Sequence, residues 1–242
     1  MIKDFITQYT PYFEEIRKKI LFSAVFFIAV FGVSFFASGY ILKLFLGFFE
    51  MENVQMMVVS PFQFVGLAVN IGLFVAVIIT FPLIIYSVFS FLKSALTKKE
   101  RRVFISVVPI SILLFCVGFA FGFYIMYYAL TVLAGFSFNL GIANMWDVSL
   151  FTSQILLTSA LLGVVFQFPI ILTILIRIGL LNVNGLRKKR RWAIALAFIL
   201  PALLPPTDGL SLVVMALPII LLFEITLLIN KKRKPREVEV YA

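Results

Sequence analysis

Six long apolar runs, parted by short polar and charged segments, organise this chain: residues 20–39, 64–92, 103–133, 150–176, 192–204 and 210–229. The first four suit a helical crossing, which takes roughly 20 apolar residues. The second and third exceed that minimum and are expected to tilt or project beyond the bilayer. Pro82 and Pro109 lie inside them and predict kinks rather than breaks, because neighbouring helices can satisfy a freed carbonyl. Between the fifth and sixth runs, Pro205-Pro206-Thr207-Asp208-Gly209 is a turn by chemistry, since Pro fixes φ and Gly permits reversal. At about 1.5 Å of rise per residue, the helix over 192–204 is too short for a core of roughly 30 Å. Local thinning of the bilayer is the physical consequence. The connection over 40–63 is long and predicts short helical pieces.

Charge then fixes orientation. Basic residues crowd every second connection: Arg17-Lys18-Lys19, Lys98-Lys99-Glu100-Arg101-Arg102, Arg187 to Arg191, and Lys231 to Arg236. The intervening connections carry mainly Lys43, Glu50, Glu52, Asp147 and Asp208. Loop Lys and Arg resist translocation and stay on the cytoplasmic side. The pattern therefore predicts an all-α integral membrane protein with six transmembrane helices, both termini inside, and the last two helices short. Residues 1–242 are expected to form a single membrane domain, ending in a mobile basic tail over 231–242. The first run differs from a cleaved signal: it exceeds the usual h-region of about 7–15 residues, and acidic Glu14 and Glu15 precede it.

Composition narrows the classes. The chain is 62% hydrophobic, against roughly 45–50% apolar in soluble domains, with a mean hydropathy of +1.11. Its net charge of +10 would face anionic inner-leaflet lipids, and no basic helix stands apart from the spans as a nucleic-acid reader would need. One cysteine, Cys116, and no histidine speak against an internal disulfide and a transition-metal site. No cofactor is called for. An intramembrane enzyme would need a Ser/His or Gly-x-Asp pair, and neither is available. A small-solute secondary transporter would line a path with Asn70, Gln167 and broken helices, but needs a continuous polar route and usually an internal repeat.

The acidic residues among the basic clusters are the candidates for function. Thr10-Pro11-Tyr12-Phe13-Glu14-Glu15 has the chemistry of a helix start, with Thr at N-cap, Pro at N1 and carboxylates favouring the dipole. Thr97-Lys98-Lys99-Glu100 matches a capping box. Both are structural readings. The functional alternative is that Glu15 and Glu100 present carboxylates to a cationic partner, because guanidinium suits bidentate carboxylate binding.

Motifs spread in order along the chain carry a family resemblance. Glu15-Ile16-Arg17-Lys18-Lys19-Ile20 resembles the E-L-R-x-R-L run into the first span of the TatC family, receptors of the twin-arginine translocase. Phe91, eight further residues and then Glu100-Arg101-Arg102 are similar to that family's F-I-x-P-G-L-Y-x-x-E-R loop. Ser60-Pro61 stands where the family has S-P-x-E, and Pro82 fits its span-two proline. Phe166-Gln167-Phe168-Pro169 resembles F-E-x-P. Pro205-Pro206-Thr207-Asp208, Pro218 and Phe223-Glu224 resemble P-P-D and the motifs of the last span.

That resemblance implies a receptor that binds twin-arginine signal peptides and exports folded proteins, using proton-motive force without ATP. It implies TatA- and TatB-type single-span partners, an oligomeric receptor complex, and a bacterial, archaeal or organellar inner membrane. Glu15 and Glu100 would pair with the signal's arginines, with Arg17 and Phe91 shaping the site. Pro61, Pro205, Pro206 and Asp208 would shape the outer face. Gln167, unfavourable toward lipid, offers either a polar contact to a partner helix inside the membrane or a packing amide that satisfies a carbonyl freed at a Pro169 kink. The chain departs from the family at Gln167 and Gln63, where glutamates are expected, and at Lys93-Ser94-Ala95, where the loop proline and glycine are missing.

Overall fold

The computed structural model describes residues 2–49, 54–94, 98–177, 179–205 and 209–231, and the side chains of 2–16, 88–94 and 98–106 lie outside that description. Its elements run α1 (Ile2–Phe36), α2 (Ser38–Phe48), β1 (Val54–Met57), α3 (Gln63–Ser94), α4 (Lys98–Asn139), β2 (Asn144–Asp147), α5 (Val148–Val165), α6 (Phe168–Arg177), α7 (Val183–Lys188), α8 (Arg190–Ala202) and α9 (Gly209–Ile229). Five stretches are long and apolar enough to cross a membrane: Arg17–Phe36, Gln63–Ser87, Val107–Asn139, Val148–Arg177 and Gly209–Ile229. The remaining run is α8, at 13 residues, which agrees with the short helix expected there.

Several boundaries differ from the sequence pattern. The first helix neither starts at Thr10-Pro11 nor runs to residue 39; α1 covers Ile2–Phe36. Upstream of the proline, Ile2, Phe5, Ile6 and Tyr9 keep the i, i+3, i+4, i+7 spacing of an apolar helix face. Pro11 removes one backbone donor without ending the helix. At the other end, Ala37 takes a non-helical ψ of 2° and separates α2, one of the helical pieces expected in the 40–63 connection. Helices α3 and α4 pass unbroken through Pro82 and Pro109. The fourth run instead divides into α5 and α6 at Phe166 and Gln167. The short α7 was not legible, and Thr97, residues 206–208 and the tail over 232–242 lie outside the described residues.

The chain divides into two compact units, Met1–Ile112 with Ala143–Leu156, and Leu113–Ile142 with Leu157–Ala242. In the first, α1 and α3 pack antiparallel. A Cβ on Gly72 would lie 3.3 Å from both the Phe31 ring and the Phe35 nitrogen, so the missing side chain sets the approach. The Ser23 and Ser87 hydroxyls meet at 3.2 Å, and Asn70 donates to Ser153 at 2.9 Å. An addition to the all-helical plan is a two-stranded parallel sheet that pairs β1 with β2, Val54 opposite Asn144 and Met57 opposite Asp147. Beside it, Phe45 of α2 and Phe49, the residue that caps α2, reach Phe151, with ring centroids 6.4 and 5.3 Å away.

In the second unit, glycines bring α4 against α5. A Cβ on Gly122 would lie 2.7 Å from the Ser159 Cα, and one on Gly118 would lie 2.8 Å from the Leu162 carbonyl oxygen. Across the same contact, a Cβ on Gly163 would meet the Phe115 ring at 2.8 Å. Gly118-x-x-x-Gly122 is the small-residue spacing that lets membrane helices approach closely, so that dispersion contacts drive their association. Toward one end, Ile125, Leu162, Leu204 and Met215 form a buried cluster. Toward the other, Leu172, Val183, Phe223 and Leu227 form a second.

Candidate functional site

Glu15, Arg17, Phe91 and Glu100 all belong to the first unit. The backbone carries Glu15 and Arg17 on unbroken α1, Phe91 near the end of α3 and Glu100 in the first turn of α4. The serine contact puts Ser23 level with Ser87; counting outward along antiparallel helices brings Phe91 level with about residue 19, roughly 6 Å in depth from Glu15. Only three residues separate α3 from α4, so Glu100 stands at that same end. The Arg17 side chain is exposed. Those of Glu15, Phe91 and Glu100 lie outside the described residues.

Gln167 sits at the α5–α6 break, 5% exposed. Pro169, two residues on, has no N–H to continue the helical ladder. The Gln167 N–H turns to the Val164 carbonyl at 2.9 Å, an i−3 bond that releases the Gly163 carbonyl. The Gln167 side-chain amide donates to that carbonyl at 3.3 Å. Its side chain thus replaces its own backbone donor. Asn70 is likewise engaged by Ser153, so both amides of the solute-path reading serve the fold.

At the other end of the first unit, Pro61 is exposed within the turn before α3. At Ser60-Pro61-Phe62-Gln63 the Gln63 side-chain oxygen reaches back to accept from the Val59 N–H at 2.8 Å and the Ser60 N–H at 3.4 Å, while the Gln63 N–H donates to the Ser60 backbone carbonyl at 3.0 Å. The Gln63 amide also donates to both oxygens of Asp147. Asp147 in turn caps α5, accepting from the Ser149 and Leu150 N–H groups at 2.8 and 2.9 Å. One side-chain pair therefore joins the starts of two helices. The sequence held a signal for this, S-x-x-Q and Asp before an apolar run, but not for the pairing.

Of the outer-turn residues, Pro205 is described. Its carbonyl accepts from the Thr158 hydroxyl at 2.8 Å, tying the turn to α5. Pro206 and Asp208 lie outside the described residues. At the other end of α9, Glu224 accepts from Arg190 at 2.8 Å, so one member of the Arg187–Arg191 cluster is paired within the fold. No group of three or more His, Cys, Asp or Glu capable of holding a metal occurs among the described residues.

These elements define a multi-pass helical membrane protein whose acidic candidates stand at one end and whose helix caps interlock at the other. The model of the Sec-independent protein translocase protein (TatC) matches residues 11–218, and the chain belongs to that family. It is 30% identical to the TatC protein of Aquifex aeolicus, with 95% of this chain and 98% of that one covered. Against the TatCy protein of Bacillus subtilis it is 28% identical, over 90% of this chain and 86% of that one. The fold is similar to a crystal structure of the twin-arginine translocase receptor TatC in DDM, with TM-score 0.78, 29% identity, and 90% and 98% of the two chains covered. A second TatC receptor structure aligns with TM-score 0.73 and 28% identity, covering 91% of this chain and 98% of that one. The chain is thus a multi-pass membrane component of a protein translocase, and these relatives lend nothing to the solute-transporter reading.

Proposed function

We propose that this chain is the receptor of a twin-arginine translocase, with both termini on the cytoplasmic side and residues 1–242 acting as one membrane domain. The likeness to solved TatC receptors over nine-tenths of the chain carries this reading. Glu15 and Glu100 bind the two arginines of a signal peptide, while Arg17 orients Glu15 and Phe91 supplies an apolar edge. Each carboxylate offers two acceptor oxygens to a guanidinium fork, and such charge-assisted bonds are roughly twice as strong as neutral ones. A lysine pair in the signal brings the same charge without the fork, and so binds more weakly. The signal's hydrophobic segment then lies along the helices, and TatA- and TatB-type single-span proteins assemble with the receptor to pass folded cargo, driven by proton-motive force.

Site-specific crosslinking of a twin-arginine signal peptide to the membrane-inserted chain tests this reading. Glu15→Lys and Glu100→Lys are each expected to weaken capture about tenfold or more, where each tenfold corresponds to roughly 1.4 kcal/mol. A twin-lysine peptide should lose less between wild type and variant. Unchanged capture in both variants, with normal insertion, would reject the assigned site.

A further inference from the structure

We propose that α2 is a lipid-bound interfacial helix. It lies flat in the leaflet at the far end of α1 from Ile2, with Tyr40, Leu44 and Phe48 set among headgroups and upper acyl chains. Three contacts within the first unit fix its depth. Gly72 packs between Phe31 and Phe35, so residue 72 of α3 is level with about residue 33 of α1. Asn70 bonds Ser153, and α3 and α5 run in the same direction. Phe151, two residues nearer the start of α5, is therefore level with about residue 68, and hence with Ala37, where α1 gives way to α2.

Phe45 and Phe49 both pack on that one ring, at 6.4 and 5.3 Å. Had α2 continued the axis of α1, they would stand about 12 and 18 Å beyond Ala37 at 1.5 Å per residue. The helix must lie across the bundle. Asp147 stands four residues nearer the polar end than Phe151, so its carboxylate lies about 6 Å above α2. Interfacial helices bury their apolar face about 5–10 Å into the headgroup and acyl boundary.

The helix has two apolar sides. Phe45 and Phe49 are buried, whereas Tyr40, Leu44 and Phe48 are 70%, 52% and 72% exposed and line up at four-residue spacing. On α1, just before the break at Ala37, Val33 and Phe36 are also 72% and 88% exposed. Scattered exposed apolar residues are ordinary, but a contiguous strip marks a surface that is covered in use. Its composition selects lipid: aromatic rings with an exposed Lys43 alongside are the residues of membrane interfaces, where Lys reaches for phosphate. The consequence is a fixed immersion depth for the first unit at that leaflet.

Nitroxide labels at Tyr40→Cys, Leu44→Cys and Phe48→Cys test this, placed singly in the full chain with Cys116→Ser and reconstituted in phosphatidylethanolamine and phosphatidylglycerol vesicles. Oxygen should collide several-fold more often than a water-soluble nickel complex at all three sites, with the preference reversed at Val59→Cys. Nickel prevailing at the stripe would overturn the proposal. So would spin–spin broadening that disappears on dilution with unlabelled chain, since that outcome places a second copy on the stripe. Low collision with both reagents, insensitive to dilution, would place protein there and overturn it as well.

Discussion

Asp147 accepts two backbone donors of its own helix and the amide of Gln63, so the fold holds it as a carboxylate. The Leu150 N–H contributes most to lowering its pKa from 3.8, followed by the Gln63 amide, with the Ser149 N–H adding to them and burial opposing. Its folded value lies below its unfolded one, so the stabilisation is complete above about pH 4 and is lost as pH falls through the lowered folded value. Thermal unfolding of the detergent-solubilised chain should show no pH dependence from this group between neutral pH and about pH 5, where its stabilisation is fully present. Below about pH 4 the stability should drop, and Asp147→Asn should flatten that part of the profile. At this scale the sequence was partly readable. Gln63 and Gln167 stood out as amides where a carboxylate was expected, and both proved to serve helix ends. What was hidden were partners distant in the chain: Asp147 for Gln63, and Arg190 for Glu224.

Apolar runs predicted the helices because bilayer spans need about 20 such residues, but they are blind to where a ladder changes register. Pro169 marked a kink and Gln167 a candidate to serve the carbonyl freed there, and in the structure Gln167 does donate by side chain in place of its backbone. The α4–α5 crossing was written as Gly118 against Leu162 and Phe166, Gly122 against Ser159, and Gly163 against Phe115, a spacing that apolar content conceals. Gly122→Leu would force a side chain against the Ser159 backbone, and overpacking of this kind costs about 1–3 kcal/mol. A clear loss of thermal stability on size-exclusion chromatography is expected. Gly135→Leu, where an added Cβ meets nothing within 4 Å, should be close to wild type. Equal behaviour of the two variants would mean the crossing does not depend on small residues.

For the molecule as a whole, the six apolar runs gave the helical membrane architecture, and the ordered motifs gave the family. In the second unit, Leu204, just before the α8–α9 turn, packs with Ile125, while α4 continues to Asn139, about 21 Å further along its axis. Leu204 is therefore recessed relative to the end of α4, in keeping with a 13-residue α8. The proposed orientation, with both termini inside, predicts that a cysteine at Asp208 in a Cys116→Ser background reacts with an impermeant maleimide added outside intact cells. Protection from that reagent, with reaction only after the inner face is opened, would reverse the orientation.

The bond between Gln63 and Asp147 spans 84 residues of chain, and this sets an order of events during synthesis. A ribosome adding about 5–20 residues per second delivers Gln63 roughly 4–17 seconds before its partner. Through that interval β1 has no strand to pair with and the cap of α3 is only half made. The far side of the first unit is latched by the late arrival of Asn144–Asp147, so a nascent chain halted after α4 leaves that side open to whatever attends its insertion.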